Sequence, residues 1–162
     1  MKLSDLNQIT LKIHSKKLKV AFAESCTAGL LAAEFVKGRG TSDILEGSVV
    51  TYTPEAKQKL LGVKKATIDL YTAESQQVTN EMVMGLHKAV NADICVAITG
   101  LCGPGGTETP EKPVGTVFVS VFFLDKIEEH RMVFKGNAGS IRKQATEFVY
   151  KRLDEIVEQY FN

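Results

Sequence analysis

The chain has 162 residues, of which 44% are apolar and 24% are charged, and its formal net charge at pH 7 is +1. A chain of this length buries about 70% of its unfolded surface, so it needs neither disulfides nor a metal to hold a core. The balanced charge lacks the basic excess that a protein following a phosphate backbone usually carries. We therefore expect one domain over residues 1–162 that binds no nucleic acid.

We expect neither a signal for export nor a segment that inserts into a membrane. Its first residues are polar and helix-like rather than apolar. The most apolar stretch, residues 114–124, is far shorter than the ~20 residues that span a bilayer. Its cysteines are odd in number and lack CxxC spacing, which favours neither a disulfide framework nor a zinc site. We expect a cytoplasmic, reduced protein with no membrane contact and no metal.

Apolar periodicity predicts alternating helices and strands in the first half of the chain. The predicted elements are a helix over 3–16, a buried strand over 19–24, a helix of small residues over 25–36 and a strand over 44–52. Thr53, Pro54 and Glu55 then form a typical helix start, with an N-cap, a proline at the first helical position and an acid in the first turn.

The second half continues the alternation and closes with a hairpin and a long helix. The predicted elements are a helix over 74–90, a buried strand over 93–99, strands over 116–123 and 128–135, and a C-terminal helix from 141 to 160. A turn near Asp125 pairs the last two strands. These elements predict a three-layer α/β/α sandwich around a mixed, mostly parallel sheet of about five strands.

The segment over residues 100–115, the glycine-rich loop, has the most uneven composition in the chain. It holds five of the 13 glycines and three of the four prolines. It lacks both the Gly-Lys-Ser/Thr ending of a Walker A motif and the glycine spacing of GxGxxG. Its backbone N–H groups still form a candidate nest for an anion. A mere connection would not need this composition, so we expect a functional role.

Three predicted strand ends meet where open α/β sheets bind their ligands. They are residues 24–27, residues 51–57 and the segment that begins at Thr99. Ser25 stands at the predicted start of the second helix, where the N–H groups of residues 26–29 would stabilise an oxyanion or hold a phosphate. Two alternatives stay open: Ser25 is only an N-cap, or Cys26 is the nucleophile.

Lys57 is the candidate base, because it lies in the first turn of its predicted helix. The helix dipole and desolvation both lower the pKa of a lysine placed there. A serine activated by such a lysine is a known nucleophile–base arrangement. The alternatives are that Lys57 is a solvated surface lysine like Lys59, and that Tyr52 is only a core residue. The three histidines show no metal spacing and support no triad.

Four motifs in chain order carry a resemblance to a known family. They are Ala23-Glu-Ser-Cys-Thr-Ala-Gly29, Val50-Thr-Tyr-Thr-Pro-Glu-Ala-Lys57, Ile98-Thr-Gly-Leu-Cys-Gly-Pro-Gly-Gly106 and Glu111-Lys-Pro-Val-Gly-Thr-Val117. Over about residues 5–160 the chain resembles the C-terminal domain of the competence/damage-inducible protein CinA. The resemblance implies a homodimer that hydrolyses the carboxamide of nicotinamide mononucleotide (NMN) to nicotinic acid mononucleotide and ammonia, with no metal or organic cofactor.

The same resemblance assigns roles residue by residue. It implies Ser25 as nucleophile, Lys57 as base and Tyr52 as a hydrogen-bonding partner. The residues that it implies for substrate binding are Thr27, Gly29, Thr99, Gly100, Gly103 and Arg142.

Two departures from the family pattern bear on the substrate. The family segment Gly-Asp-Arg-x-x-Val-Arg reads Gly136-Asn-Ala-Gly-Ser-Ile-Arg142 here, so that Ala138 and Asn137 replace an arginine and an aspartate. A lost charge-assisted bond to phosphate is worth about 1.5–3 kcal/mol. Ala28 also adds a methyl group where the family has glycine. Two further functions therefore stay open: a nucleotide-binding module without catalysis, and an amidase for another small carboxamide.

Overall fold

The computed structural model describes residues 1–161, so Asn162 lies outside the described residues. This part of the chain forms twelve helices and strands. They are α1 (Leu3–Ser15), β1 (Val20–Glu24), α2 (Leu30–Phe35), α3 (Thr41–Ile44), β2 (Leu45–Val50), α4 (Pro54–Leu61), α5 (Lys65–Tyr71), α6 (Gln76–Ala89), β3 (Ile94–Gly100), β4 (Thr116–Phe123), β5 (Lys126–Val133) and α7 (Ala138–Tyr160).

The strands form one mixed sheet in the order β2-β1-β3-β4-β5. Strand β1 pairs in parallel with both β2 and β3, whereas β4 is antiparallel to β3 and β5. Among these five strands β4 alone runs against the others, so the prediction of a mixed, mostly parallel sheet is confirmed. The last two strands join in a hairpin at Leu124 and Asp125, which both adopt positive φ angles, as a tight hairpin turn requires.

Helices cover both faces of the sheet, as a three-layer sandwich requires. Strand β1 is buried along its whole length and alternates between two cores. Val20 and Phe22 pack with residues of α1, α2 and α7, whereas Ala21 and Ala23 pack with residues of α4 and α6. Strands β3 and β4 are also buried on both faces, which explains their continuous apolar runs.

The second helix begins at Leu30, so the predicted start at residue 25 is wrong. Residues 25–29, the Ser25 turn, are folded as a tight turn in which Ala28 (φ 51°) and Gly29 (φ 95°) are left-handed. The reason is that a carboxylate from the preceding strand, Glu24, caps the helix. It accepts the backbone N–H groups of Gly29, Leu31 and Ala32.

Other differences from the predicted elements are local. Strand β2 ends at Val50 rather than residue 52, β5 spans Lys126–Val133, and α7 begins at Ala138. Neither α3 nor α5 was predicted, because α3 has four residues and α5 buries none of its side chains, so apolar periodicity is missing. No helix within residues 1–161 has the length and hydropathy to cross a membrane.

Candidate active site

Ser25 and Lys57 meet at the carboxyl ends of the parallel strands β1 and β2. Lys57 Nζ lies 2.8 Å from Ser25 Oγ and 2.7 Å from the carbonyl oxygen of Thr51. Lys57 is 1% exposed and Ser25 is 7% exposed. The predicted helix start is confirmed, since the Thr53 side chain caps α4 and Pro54 opens it. The interpretation of Lys57 as a solvated surface lysine is therefore wrong.

The surroundings of Lys57 shift its amine toward the neutral form. Burial lowers the pKa of Lys57, and the negative charge of Glu74 opposes part of this shift. A neutral Nζ keeps one N–H for the Thr51 carbonyl oxygen and has a lone pair that can accept the hydroxyl proton of Ser25. The 2.8 Å contact is thus suited to transferring a proton between serine and lysine.

The Ser25 turn leaves two backbone donors available beside the serine. Within residues 1–161 the N–H groups of Cys26 and Thr27 donate to no protein acceptor. The N–H groups of Ala28 and Gly29 are already bonded, to a backbone carbonyl and to a buried carboxylate, each at 3.0 Å. Of the four N–H groups predicted to hold an oxyanion, only those of Cys26 and Thr27 remain free for that role.

Glu24 is a positioning residue that the sequence reasoning missed. It is fully buried and accepts five hydrogen bonds, from Thr27 Oγ1, Ser48 Oγ and the N–H groups of Gly29, Leu31 and Ala32. Two predicted substrate-binding residues, Thr27 and Gly29, therefore bond to this carboxylate through their hydroxyl and N–H. The sequence feature that could have identified it is a single acidic residue at the end of an otherwise apolar strand.

Strand β3 carries Thr99 and Gly100 to the same end of the sheet. The Thr99 hydroxyl is buried and pairs with that of Thr79 on α6 at 2.8 Å. A Cβ at Gly100 would lie 2.7 Å from the carbonyl oxygen of Thr116, so the close approach of β4 requires glycine there. Gly103 has open space around it, because an added Cβ would meet nothing within 4 Å.

A carboxylate of the glycine-rich loop itself occupies part of the predicted anion nest. The N–H groups of Gly105 and Gly106 each donate to a carboxylate oxygen of Glu108 at 2.8 Å. These bonds lower the pKa of Glu108. These two N–H groups of the predicted nest are therefore occupied by the carboxylate of the loop itself.

Lys112 links the glycine-rich loop by hydrogen bonds to the segment that connects α5 and α6. Its Nζ donates to Thr72 Oγ1 at 2.7 Å, to the carbonyl oxygen of Glu74 at 3.1 Å and to Thr107 Oγ1 at 2.9 Å. Thr107 in turn donates to the Glu74 carboxylate at 2.7 Å. This cluster holds in place the carboxylate whose charge opposes the lowered pKa of Lys57.

Tyr52 and Arg142 occupy different positions relative to the serine. Tyr52 is 62% exposed and its hydroxyl makes no hydrogen bond within residues 1–161, so the structure does not join it to Ser25. Arg142 comes from α7 and donates its Nε to the carbonyl oxygen of Cys26 at 2.9 Å. Together with Thr27 and Gly29 it lines a groove of ≈ 940 Å³ between α1, α2 and α7. Among residues 1–161 no cluster of three or more metal-ligating side chains is present.

The fold and the site define an α/β/α domain with a buried Ser–Lys pair at the carboxyl ends of its parallel strands. Residues 4–157 match the family described as the CinA C-terminal domain, and the chain belongs to this family.

Relatives and solved structures agree with this assignment. The chain is similar to CinA-like proteins from Petrotoga mobilis (40% identity over 143 residues, 88% of this chain) and Thermotoga neapolitana (43% over 141 residues, 87% of this chain). It spans about a third of their length, 35% and 34%. A CinA superfamily protein from Klebsiella pneumoniae has a TM-score of 0.91 at 33% identity, covering 99% of this chain and 100% of that one. A competence/damage-inducible protein from Agrobacterium tumefaciens has a TM-score of 0.86 at 31% identity, covering 94% and 95%.

Proposed function

We propose that this domain hydrolyses the carboxamide of NMN to nicotinic acid mononucleotide and ammonia. The observation that carries the proposal is the 2.8 Å contact between the buried Lys57 Nζ and Ser25 Oγ. Membership of the CinA C-terminal domain family and the four ordered motifs support a nicotinamide nucleotide as the substrate.

The first half of the reaction forms an acyl-enzyme. Neutral Lys57 takes the hydroxyl proton of Ser25 while Oγ attacks the carboxamide carbon. The negative charge that develops on the carbonyl oxygen is stabilised by the N–H groups of Cys26 and Thr27. The Lys57 ammonium then gives its proton to the leaving nitrogen, the C–N bond breaks, and ammonia departs.

The second half returns the enzyme to its starting state. Lys57, again neutral, takes a proton from a water molecule that attacks the ester carbon. The ester bond to Ser25 Oγ breaks, the serine recovers its proton from Lys57, and nicotinic acid mononucleotide is released. The carbonyl oxygen of Thr51 accepts a hydrogen bond from Nζ throughout and keeps the amine directed at the serine.

Recognition of the substrate phosphate is the weaker part of the match to the family. Asn137 still caps α7, because its side chain accepts the N–H of Ser140 at 2.9 Å. Ala138, by contrast, supplies no charge where the family has arginine. Arg142 is retained: it donates its Nε to the carbonyl oxygen of Cys26 in the Ser25 turn, and it lines the adjacent groove. This difference favours a second candidate, an amidase for a carboxamide that lacks the phosphate.

Ammonia release from NMN, its dephosphorylated riboside and free nicotinamide tests these functions together. We expect NMN to be the preferred substrate, and Ser25→Ala and Lys57→Met each to lower kcat by at least about 1000-fold. Lys59→Met is the matched control, since Lys59 is an exposed lysine of the same helix. Equal rates with NMN and riboside would favour the second candidate. Binding of NMN without ammonia release would indicate a binding module, and near wild-type turnover of Ser25→Ala would refute the nucleophile.

A further inference from the structure

A row of three hydroxyl side chains crosses the sheet at the carboxyl ends of its parallel strands. Strand β1 pairs in parallel with β2 and β3 up to its last residue, Glu24. The ladder with β2 continues one residue further, because the N–H of Thr51 donates to the carbonyl oxygen of Glu24 at 2.8 Å. The ladder with β3 does the same, because the N–H of Ser25 donates to the carbonyl oxygen of Ile98 at 3.1 Å. Ser25 therefore has Thr51 beside it on the β2 side and Thr99 on the β3 side.

The three hydroxyls share the face of the sheet that α4 and α6 cover. The residues two positions before them pack in the core beside these helices: Val49, Ala23 and Ala97. Because side chains alternate along a strand, the three hydroxyls that follow point to the same side. The central one, on Ser25, meets Lys57 of α4, and the Thr99 hydroxyl meets Thr79 of α6, each at 2.8 Å. Two of the three hydroxyls thus have a partner from the covering helices.

The third hydroxyl, on Thr51, is fully buried and has no partner. Thr51 is 0% exposed, and its Oγ1 makes no hydrogen bond to any of residues 1–161. Buried hydroxyls are rarely left unbonded in proteins, because an unsatisfied polar group is costly. The backbone carbonyl oxygen of the same residue accepts a hydrogen bond from Lys57 Nζ at 2.7 Å. The unpartnered hydroxyl therefore belongs to a residue that directly contacts the proposed base, and it is suited to binding a small polar molecule there.

We propose that the Thr51 hydroxyl positions the water molecule that hydrolyses the acyl-enzyme, a role that rests on the proposed function. This water donates one hydrogen to the neutral Nζ of Lys57 and the other to Thr51 Oγ1, which leaves a lone pair of its oxygen for the ester carbon. The new C–O bond forms while the first proton passes to Nζ. The bond from the carbon to Ser25 Oγ then breaks, and Oγ takes that proton from Nζ.

The second half of the reaction needs this positioning more than the first. The leaving nitrogen arrives covalently attached to the substrate, so the contacts of the whole nucleotide place it. The water is a separate molecule, and the protein alone must fix its position and orientation. Loss of the Thr51 hydroxyl should therefore slow the hydrolysis of the acyl-enzyme more than its formation, and the acyl-enzyme on Ser25 should accumulate.

Thr51→Val, which removes the hydroxyl but keeps the branched side chain, tests this role with NMN as the substrate. We expect a burst of ammonia stoichiometric with the chain, followed by a steady-state kcat lower by about 10- to 100-fold. Intact-mass analysis should show an adduct on Ser25 with the mass of NMN less ammonia. Thr51→Ser keeps a hydroxyl and should restore the steady-state rate. Thr10→Val is the matched control and should behave as the wild type, because Thr10 is equally buried but lies in α1 on the other face of the sheet.

The possible outcomes separate this role from the enzymatic proposal. Wild-type turnover of Thr51→Val would overturn the role, and so would a lower rate without an adduct, because the slowed step would then not be hydrolysis of the acyl-enzyme. Equal losses in Thr51→Val and Thr51→Ser would also overturn it, since packing rather than the hydroxyl would then matter. If the valine variant does not fold, the same measurements on Thr51→Ala decide. A wild-type chain that releases no ammonia from NMN would instead refute the proposed function, and the role of Thr51 with it.

Discussion

Glu24 anchors the Ser25 turn, and Glu24→Gln tests how much free energy that anchor contributes. One carboxylate oxygen, Oε2, accepts three hydrogen bonds and Oε1 accepts two. A glutamine oxygen in the position of Oε2 keeps three bonds, but its amide nitrogen then faces the N–H of Ala32, which loses its acceptor. An unsatisfied buried donor costs about 1–3 kcal/mol.

Loss of the charge adds to this cost, because the three remaining bonds are no longer charge-assisted. Relief of the buried charge offsets part of it. We expect the free energy of unfolding to fall by about 3 kcal/mol in total. Denaturant titration followed by circular dichroism measures this value.

Glu34→Gln is the matched control for the same charge change. Its carboxylate pairs with Lys37 at 2.6 Å on the exposed side of α2, and such surface pairs contribute about 0–1 kcal/mol. The reasoning is refuted if Glu24→Gln and Glu34→Gln lose the same free energy of unfolding, since Glu24 would then not be an anchor.

Two further substitutions test the site and its scaffold. Glu74→Gln removes a charge that raises the pKa of Lys57, so the pKa should fall further and the rise of kcat/KM with pH should move to lower pH. The exposed Glu55→Gln should leave the profile unchanged, and equal shifts in both variants would contradict a specific effect. Gly85→Ala would place a Cβ 1.9 Å from the carbonyl oxygen of Leu61. We expect α6 and α4 to separate at a cost of about 1–3 kcal/mol, and an unchanged Tm would contradict this.

Elements with a strong local pattern could be predicted from the sequence. Helices α1 and α6 and strands β1, β3 and β4 follow from apolar periodicity or continuous apolar runs. The start of α2 could not be predicted, because its cap is a carboxylate at the end of β1 rather than a residue adjacent to the helix. Small polar residues such as Ser25 and Thr27 resemble a local N-cap in sequence, although the Thr27 hydroxyl donates to Glu24.

The candidate base could be predicted, but its burial could not be read from its position in the first turn alone. Lys57 and Lys59 stand two residues apart in α4, and only Lys57 is buried. The distinguishing signal is helical phase, since Lys57 lies four residues before the buried Leu61 and therefore shares its inward face. Tyr52 has no such signal, because it lies between β2 and α4, where no periodicity fixes its direction.

The alternation of β1 explains how two buried polar groups serve different purposes at one strand end. Val20 and Phe22 face the core shared with α2 and α7, so Glu24, two residues further, lies on that face and caps α2. Ser25 follows on the opposite face, which is the side of α4, and there it meets Lys57. Consecutive residues thus separate the group that holds the turn from the group that reacts. A one-residue shift of β1 would exchange these faces and bring Glu24, rather than Ser25, to the lysine.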